Sequence, residues 1–218
     1  MRKLVLAILL ATLLAASAYG QKQANLEQVL NKLDESSVGF KNVRADFEWD
    51  QYQKVVDEHE IDKGVMYFKR SGNNVDVAAD IQTPKRSKKL LLKDGQLQVY
   101  DRRTGQTTPY DTRKNRQSFE SFLALGFGGR GHEMLKNFDV HYAGSEMAMG
   151  VPTYKLELTP KSDQVKQMFP LITLWINQQT GMSVQQRLDQ GEGDYRLARY
   201  PRIEINQALP PDAFSLKK

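Results

Sequence analysis

Cysteine is absent from the chain, and its absence removes several chemistries at once. It excludes disulfides, thiol nucleophiles, thiolate-bound metals and the cysteine that accepts the lipid of a bacterial lipoprotein. Histidine is scarce, at His59, His132 and His141 only. His132-Glu133 opens a zinc-helix pattern, but Lys136 stands where the second ligand is needed, so no metal site is expected. His59 and His141 have no evident companion, and no serine sits in a nucleophile elbow. The carboxylates Asp57, Glu58, Glu60 and Asp62 gather near an expected strand turn, where a solvated charge run is the ordinary reading. These absences point away from an enzyme and from any cofactor.

Long apolar runs are lacking as well, apart from the one at the start. Arg2 and Lys3 precede an apolar stretch from Leu4 to Ala15 interrupted only by Thr12, and small residues follow. This is the pattern of a cleaved signal peptide, too short for an ordinary membrane helix. Cleavage after Ala18 or after Gly20 fits the small-x-small rule, and Gly20 is preferred; a retained N-terminal anchor is the competing reading. Residues 1–20 are thus expected to be a signal peptide and 21–218 a single periplasmic domain. Loss of Arg2 and Lys3 lowers the net charge from +5 to +3, with acids and bases interspersed. That balance does not suggest a nucleic-acid partner.

What is present is a change of period. Leu26, Val29, Leu30 and Leu33 recur at helical spacing behind Asn25 as N-cap with Gln28 three residues on. Past Gly39, Val43, Ala45, Phe47 and Trp49 alternate with Arg44, Asp46, Glu48 and Asp50, which is a half-buried strand. Further strands are predicted at Gly64–Arg70, Val75–Ile81, Lys89–Lys93, Leu97–Asp101 and toward Tyr110, with Asp94-Gly95 supplying a tight hairpin turn. Ser118 can cap a short helix carrying Phe119, Phe122, Leu123 and Leu125, ended by glycines. The second half resumes strands around 138–142, 154–158, 172–176, 182–188 and 194–206, with a helical turn from Asp163 to Phe169. Short alternating strands without long intervening helices imply one curved antiparallel sheet, an open half-barrel, with the two helical pieces over its concave side.

Gly126-Phe127-Gly128-Gly129-Arg130-Gly131 formally matches a dinucleotide fingerprint, but it follows a helix instead of opening one, so it reads as a C-cap and flexible hinge. A large sheet under two short helices favours an apolar ligand cavity, with Phe47, Trp49, Met66, Phe68 and Trp175 as candidate walls. An ordinary packed core is the alternative for each of them.

The order of these elements resembles the periplasmic LolA-type lipoprotein carriers over nearly all of residues 21–218. The resemblance rests on the leading helix, Val43-Arg44-Ala45-Asp46-Phe47, Gly64-Val65-Met66-Tyr67-Phe68-Lys69-Arg70, Lys93-Asp94-Gly95 before Val99-Tyr100, and Pro210-Pro211-Asp212-Ala213-Phe214-Ser215-Leu216. It implies an open β half-barrel lidded by helices, whose cavity takes the acyl chains of lipoproteins. It also implies an inner-membrane exporter and an outer-membrane receptor as partners of a monomeric carrier. In that family an arginine at the end of the second strand, usually before proline, holds the lid; Arg70 matches it, with Ser71 in place of the proline. By strand parity Arg70 shares a face with Met66 and Phe68, so its guanidinium can reach carbonyls of a lid around Phe119 to Gly126; a snorkelling strand-end arginine with no latch role is the competing reading. The competing functions are a carrier or sensor of another periplasmic amphiphile, a cell-envelope hydrolase, and a scaffolding β protein.

Overall fold

The computed structural model describes residues 26–71, 74–83, 87–111 and 125–216. Helix α1 (26–37) comes first, burying Val29, Leu30 and Leu33 on one face. The Ser36 and Ser37 hydroxyls donate to the carbonyls of Leu33 and Asp34, and Gly39, with φ of 75°, turns the chain out of the helix.

Six strands follow: β1 (Asn42–Gln53), β2 (Glu58–Ser71), β3 (Asn74–Gln82), β4 (Ser87–Lys93), β5 (Gln96–Asp101) and β6 (Gln106–Asp111). After α2 (Gly131–Asn137) come β7 (Phe138–Ala148), β8 (Val151–Pro160), α3 (Asp163–Met168), β9 (Leu171–Asn177), β10 (Ser183–Gly191) and β11 (Asp194–Ile205). All eleven strands form one antiparallel sheet in the order β6-β5-β4-β3-β2-β1-β11-β10-β9-β8-β7. The sheet is an open half-barrel, as expected, and it is built from two meanders joined where β1 pairs with β11.

This order has a geometrical consequence. β6 and β7 lie at opposite edges, yet they are consecutive among the described strands, so one connection joins the two edges. Its described end, residues 125–130, lies on the concave face. Curvature comes with irregular register: the β1–β11 ladder slips between Asp46 and Glu48, and β7–β8, β9–β10 and β10–β11 slip as well.

Asp94 and Gly95, with φ of 51° and 73°, make the tight hairpin anticipated between β4 and β5. Two expectations change. β1 and β2 form a longer hairpin than the pattern suggested: Asp57 and Glu58 are exposed at its turn, as expected for a solvated charge run, whereas Glu60 and Asp62 lie along β2. Asp62 is only 8% exposed and accepts a hydrogen bond from the Thr83 hydroxyl at 3.0 Å. Helix α2 was not anticipated, because the preceding glycines read as the end of order. The helix expected from Ser118 falls outside the described residues except for Leu125.

Candidate functional site

Register decides which side chains share the concave face. Val43, Ala45, Phe47 and Trp49 of β1 face the same way as Phe68, Met66 and Gly64 of β2, the latter paired in turn with Val77, Ala79 and Ile81 of β3. Leu92 and Leu90 of β4 continue the rows, followed by Leu97 and Val99 of β5. The Phe47 and Trp49 rings stack at 4.3 Å between centroids. A Cβ at residue 64 would stand 2.8 Å from Cζ of Phe47, so the missing side chain of Gly64 makes room for that ring.

The two flanks of this face are covered unequally. On β8 and β9, Leu156, Leu158, Ile172, Leu174 and Ile176 pack with Val29 and Leu33 of α1, and all five are fully buried. On β3 to β6, Val75, Val77, Leu90, Leu97 and Val99 are half-buried, and Tyr110 is 52% exposed. Ala79, Ile81 and Leu92 of this flank are buried, and the half-buried row forms a shallow apolar trough beside them.

Between the flanks sits a plug. Leu125 to Gly128 form a buried turn, and Phe127, 1% exposed, meets the Tyr200 ring edge-on at 4.9 Å within the cluster of Phe40, Val43, Phe47, Phe68 and Met182. Three donors hold the backbone of this turn. The Gln186 amide donates to the Leu125 carbonyl at 2.7 Å, the Ser183 N–H to the Gly126 carbonyl at 2.8 Å, and the Arg70 guanidinium to the Gly128 carbonyl. Arg70 also lies 5.7 Å from the centroid of Phe40, whose ring packs on Phe68. The Tyr200 hydroxyl donates to Gln186 at 3.2 Å, and complete burial holds that phenol well above its ordinary titration range.

The glycine run is thus no flexible hinge. A Cβ at Gly128 would come within 2.4 to 2.7 Å of three atoms of the Phe40 ring, and one at Gly131 within 2.4 Å of the Leu30 carbonyl oxygen. Glycine is required here so that backbone can lie directly on an aromatic face and on a crossing helix.

Of the residues singled out from sequence, Phe47, Met66 and Phe68 are buried in the central cluster, with Trp49 packed at its margin. Arg70 reaches a carbonyl two residues beyond the segment anticipated for it. Phe119, Phe122 and Leu123 lie outside the described residues. Trp175 is a correction. It alternates with the helix-covered Leu174 and Ile176, so it faces the convex side, where its indole N–H donates to Glu146 and the Lys155 ammonium lies 5.3 Å from its ring centroid. A wall residue of the concave cavity it is not. Phe40, Phe127, Gln186 and Tyr200 were missed. Phe127 was hidden because a lone aromatic inside a glycine run carries no period.

The convex side carries a cavity of about 320 Å³ between β2 to β4 and the tail after β11. It is more polar, bordered by Tyr67, Asp80, Lys89 and Asp212. Asp80 is held at 2.7 Å by Arg102, and Lys89 donates to the Ser215 carbonyl at 3.0 Å. Each histidine is bonded to carboxylates: His59 to Asp50, His132 to Asp34 and Glu27, His141 to Glu157. Among the described residues, no group of three or more metal-binding side chains converges.

Solved structures share this fold. LppX, a lipoprotein of Mycobacterium tuberculosis, superposes with a TM-score of 0.54 at 13% identity, over 87% of this chain and 98% of that one. The fold is that of LppX. A DUF1329 family protein from Desulfovibrio piger gives 0.52 at 11% identity, over 90% of this chain and 99% of that one. The Pseudomonas aeruginosa MucA/MucB complex gives 0.52 at 13% identity, over 88% of this chain but only 60% of that one. No family model matches the sequence, and no curated protein matches it. At such identities the likeness is one of fold.

Proposed function

We propose that this protein is a periplasmic carrier that takes acyl chains of lipoproteins against its concave apolar face and moves them from the inner to the outer membrane. The observation that carries this reading is the unequal cover of the sheet. One flank is sealed by α1, while the other leaves a row of half-buried Val and Leu side chains beside a plug held by three replaceable hydrogen bonds. Each methylene withdrawn from water on that row is worth about 0.8 kcal/mol, so part of one acyl chain gives reversible affinity without covalent chemistry. Residues 1–20 would be removed on export. An inner-membrane exporter and an outer-membrane receptor would load and unload the protein, and Arg70 would latch the plug.

Purification from the periplasm without detergent, followed by native mass spectrometry and lipid extraction, tests the reading. Triacylated lipoprotein on the wild type, with altered retention in Arg70→Leu, supports it. Absence of any amphiphile, together with failure to take up an added triacylated lipopeptide, overturns it. A second reading is favoured by the likeness to MucB, which forms a complex with MucA. In that reading the same trough senses an amphiphile and reports it to a protein partner, and phospholipid as the sole co-purifying molecule would support it.

A further inference from the structure

His132 stands where α2 crosses α1, one residue after the Gly131 backbone that lies on Leu30. Its Nδ1 is 2.5 Å from an Asp34 carboxylate oxygen and its Nε2 is 3.0 Å from a Glu27 carboxylate oxygen. Its backbone N–H donates to the other Asp34 oxygen at 3.3 Å. Both carboxylates belong to α1. On its own helix the charged neighbours are Glu133 and Lys136, which pair with each other at 3.8 Å.

A neutral imidazole has one N–H and can donate to one carboxylate only, leaving its other nitrogen lone pair facing an anion. The imidazolium donates to both. This ring therefore ties α2 to both α1 carboxylates only while it carries its proton, and neutral it keeps one of the two bonds. The Asp34 bond first and the Glu27 bond second raise its titration range above that of a free histidine.

Helix α2 is continuous with the turn that carries Phe127, and α1 seals the covered flank, so the fastening bears on the whole cover of the concave face. We propose that His132 is a proton-dependent clasp between α1 and α2 that keeps this cover closed at acid pH and loosens it as pH rises, favouring uptake of acyl chains. The proposal rests on the carrier reading and adds a regulator to it. The sign follows from linkage: a group whose folded-state affinity for protons is raised stabilises the closed form fully below the unfolded-state value of about 6.5, and that contribution is lost as pH rises through the folded-state value. By reciprocity, a ligand that displaces the cover must make His132 easier to deprotonate.

The test uses wild type and His132→Gln, both without residues 1–20. Hydrogen exchange of α1 and α2 amides, corrected for the intrinsic rate, is followed from pH 5.5 to 8.5, and binding of a triacylated lipopeptide is titrated at both ends. The expected result is wild-type protection of α1 and α2 that falls with rising pH, with at least threefold tighter binding at pH 8.5, and neither trend in His132→Gln. Matching exchange profiles in the two proteins overturn the clasp. A wild-type protection trend with pH-independent binding overturns the regulatory role and leaves the carrier standing. Lipopeptide binding by neither protein at either pH overturns the carrier reading and the regulation with it.

Discussion

Phe127→Ala removes the tip of the plug, and its consequences can be worked out in some detail. The ring is 1% exposed, wedged among Phe40, Val43, Phe47 and Met182 and edge-on to Tyr200. Truncating a buried phenylalanine to alanine costs about 3–5 kcal/mol, and the value within that range depends on how far the surroundings collapse. Here collapse is opposed on three sides, because Gln186, the Ser183 N–H and Arg70 each hold a carbonyl of the turn. The upper half of the range, about 4 kcal/mol, is therefore expected. For a protein of this size a loss of 1 kcal/mol lowers Tm by about 2–4 °C, which places the shift near 8–16 °C. Urea unfolding followed by circular dichroism measures the loss directly, with an unchanged denaturant slope showing that it is a change in stability. The cavity left behind is apolar and adjoins the trough, so lipopeptide binding should tighten as stability falls. A loss under about 1.5 kcal/mol would mean that the turn moves in to fill the space, refuting the rigid plug. Weakened lipopeptide binding would refute the idea that the plug competes with ligand.

Other substitutions probe separate parts of the argument. Arg70→Leu leaves the Gly128 carbonyl without its charged donor, a bond of a class worth about 1.5–3 kcal/mol before discounting for partial exposure, so exchange of the 126–130 amides should quicken by roughly tenfold or more. Gly131→Ala forces a methyl onto the Leu30 carbonyl and should cost about 1–3 kcal/mol in urea unfolding. The two tryptophans face opposite sides of the sheet. Fluorescence of Trp175→Phe should therefore still respond to lipopeptide through Trp49, whereas Trp49→Phe should be silent. Because burial raises the Tyr200 phenol, its contribution to stability is complete below pH about 10 and is lost as pH climbs toward its folded-state value. Tyr200→Phe should flatten that alkaline limb in urea melts while costing about 1 kcal/mol at neutral pH for the bond to Gln186.

The half-barrel was legible in the sequence because alternation is a local signal. Val43, Ala45, Phe47 and Trp49 declare a buried face without reference to any neighbour, and Asp94-Gly95 declares its turn. Arg70 was placed by counting in twos from Met66 and Phe68. The same counting, applied to Trp175, should have set it apart from Leu174 and Ile176; size and aromaticity were allowed to outweigh parity, and its bond to Glu146 shows the outcome. Phe127 and Gly131 were beyond local reading, since their roles exist only through contacts distant in sequence: Tyr200 and Phe40 for the one, Leu30 for the other. A glycine that flexes and a glycine that lets backbone touch a ring are written with the same letter.

The strand order itself explains why the plug falls where it does. A closed meander would bring β6 beside β7 and need only a short turn, whereas here β1 and β11 pair at the centre and drive β6 and β7 to the two edges. The described end of the connection lies on the concave face, and its Phe127 settles over the curved middle, where Phe40, Phe68 and Tyr200 converge. Because β7 to β9 are sealed by α1, displacing this segment exposes chiefly the β3 to β6 flank, whose Val and Leu side chains are half-buried at rest. On the carrier reading proposed above, uptake of an acyl chain would exchange one apolar contact for another. The hydrogen bonds of Arg70, Gln186 and Ser183 and the packing of Phe127 would then hold the closed state, with the proposed His132 clasp adding to them.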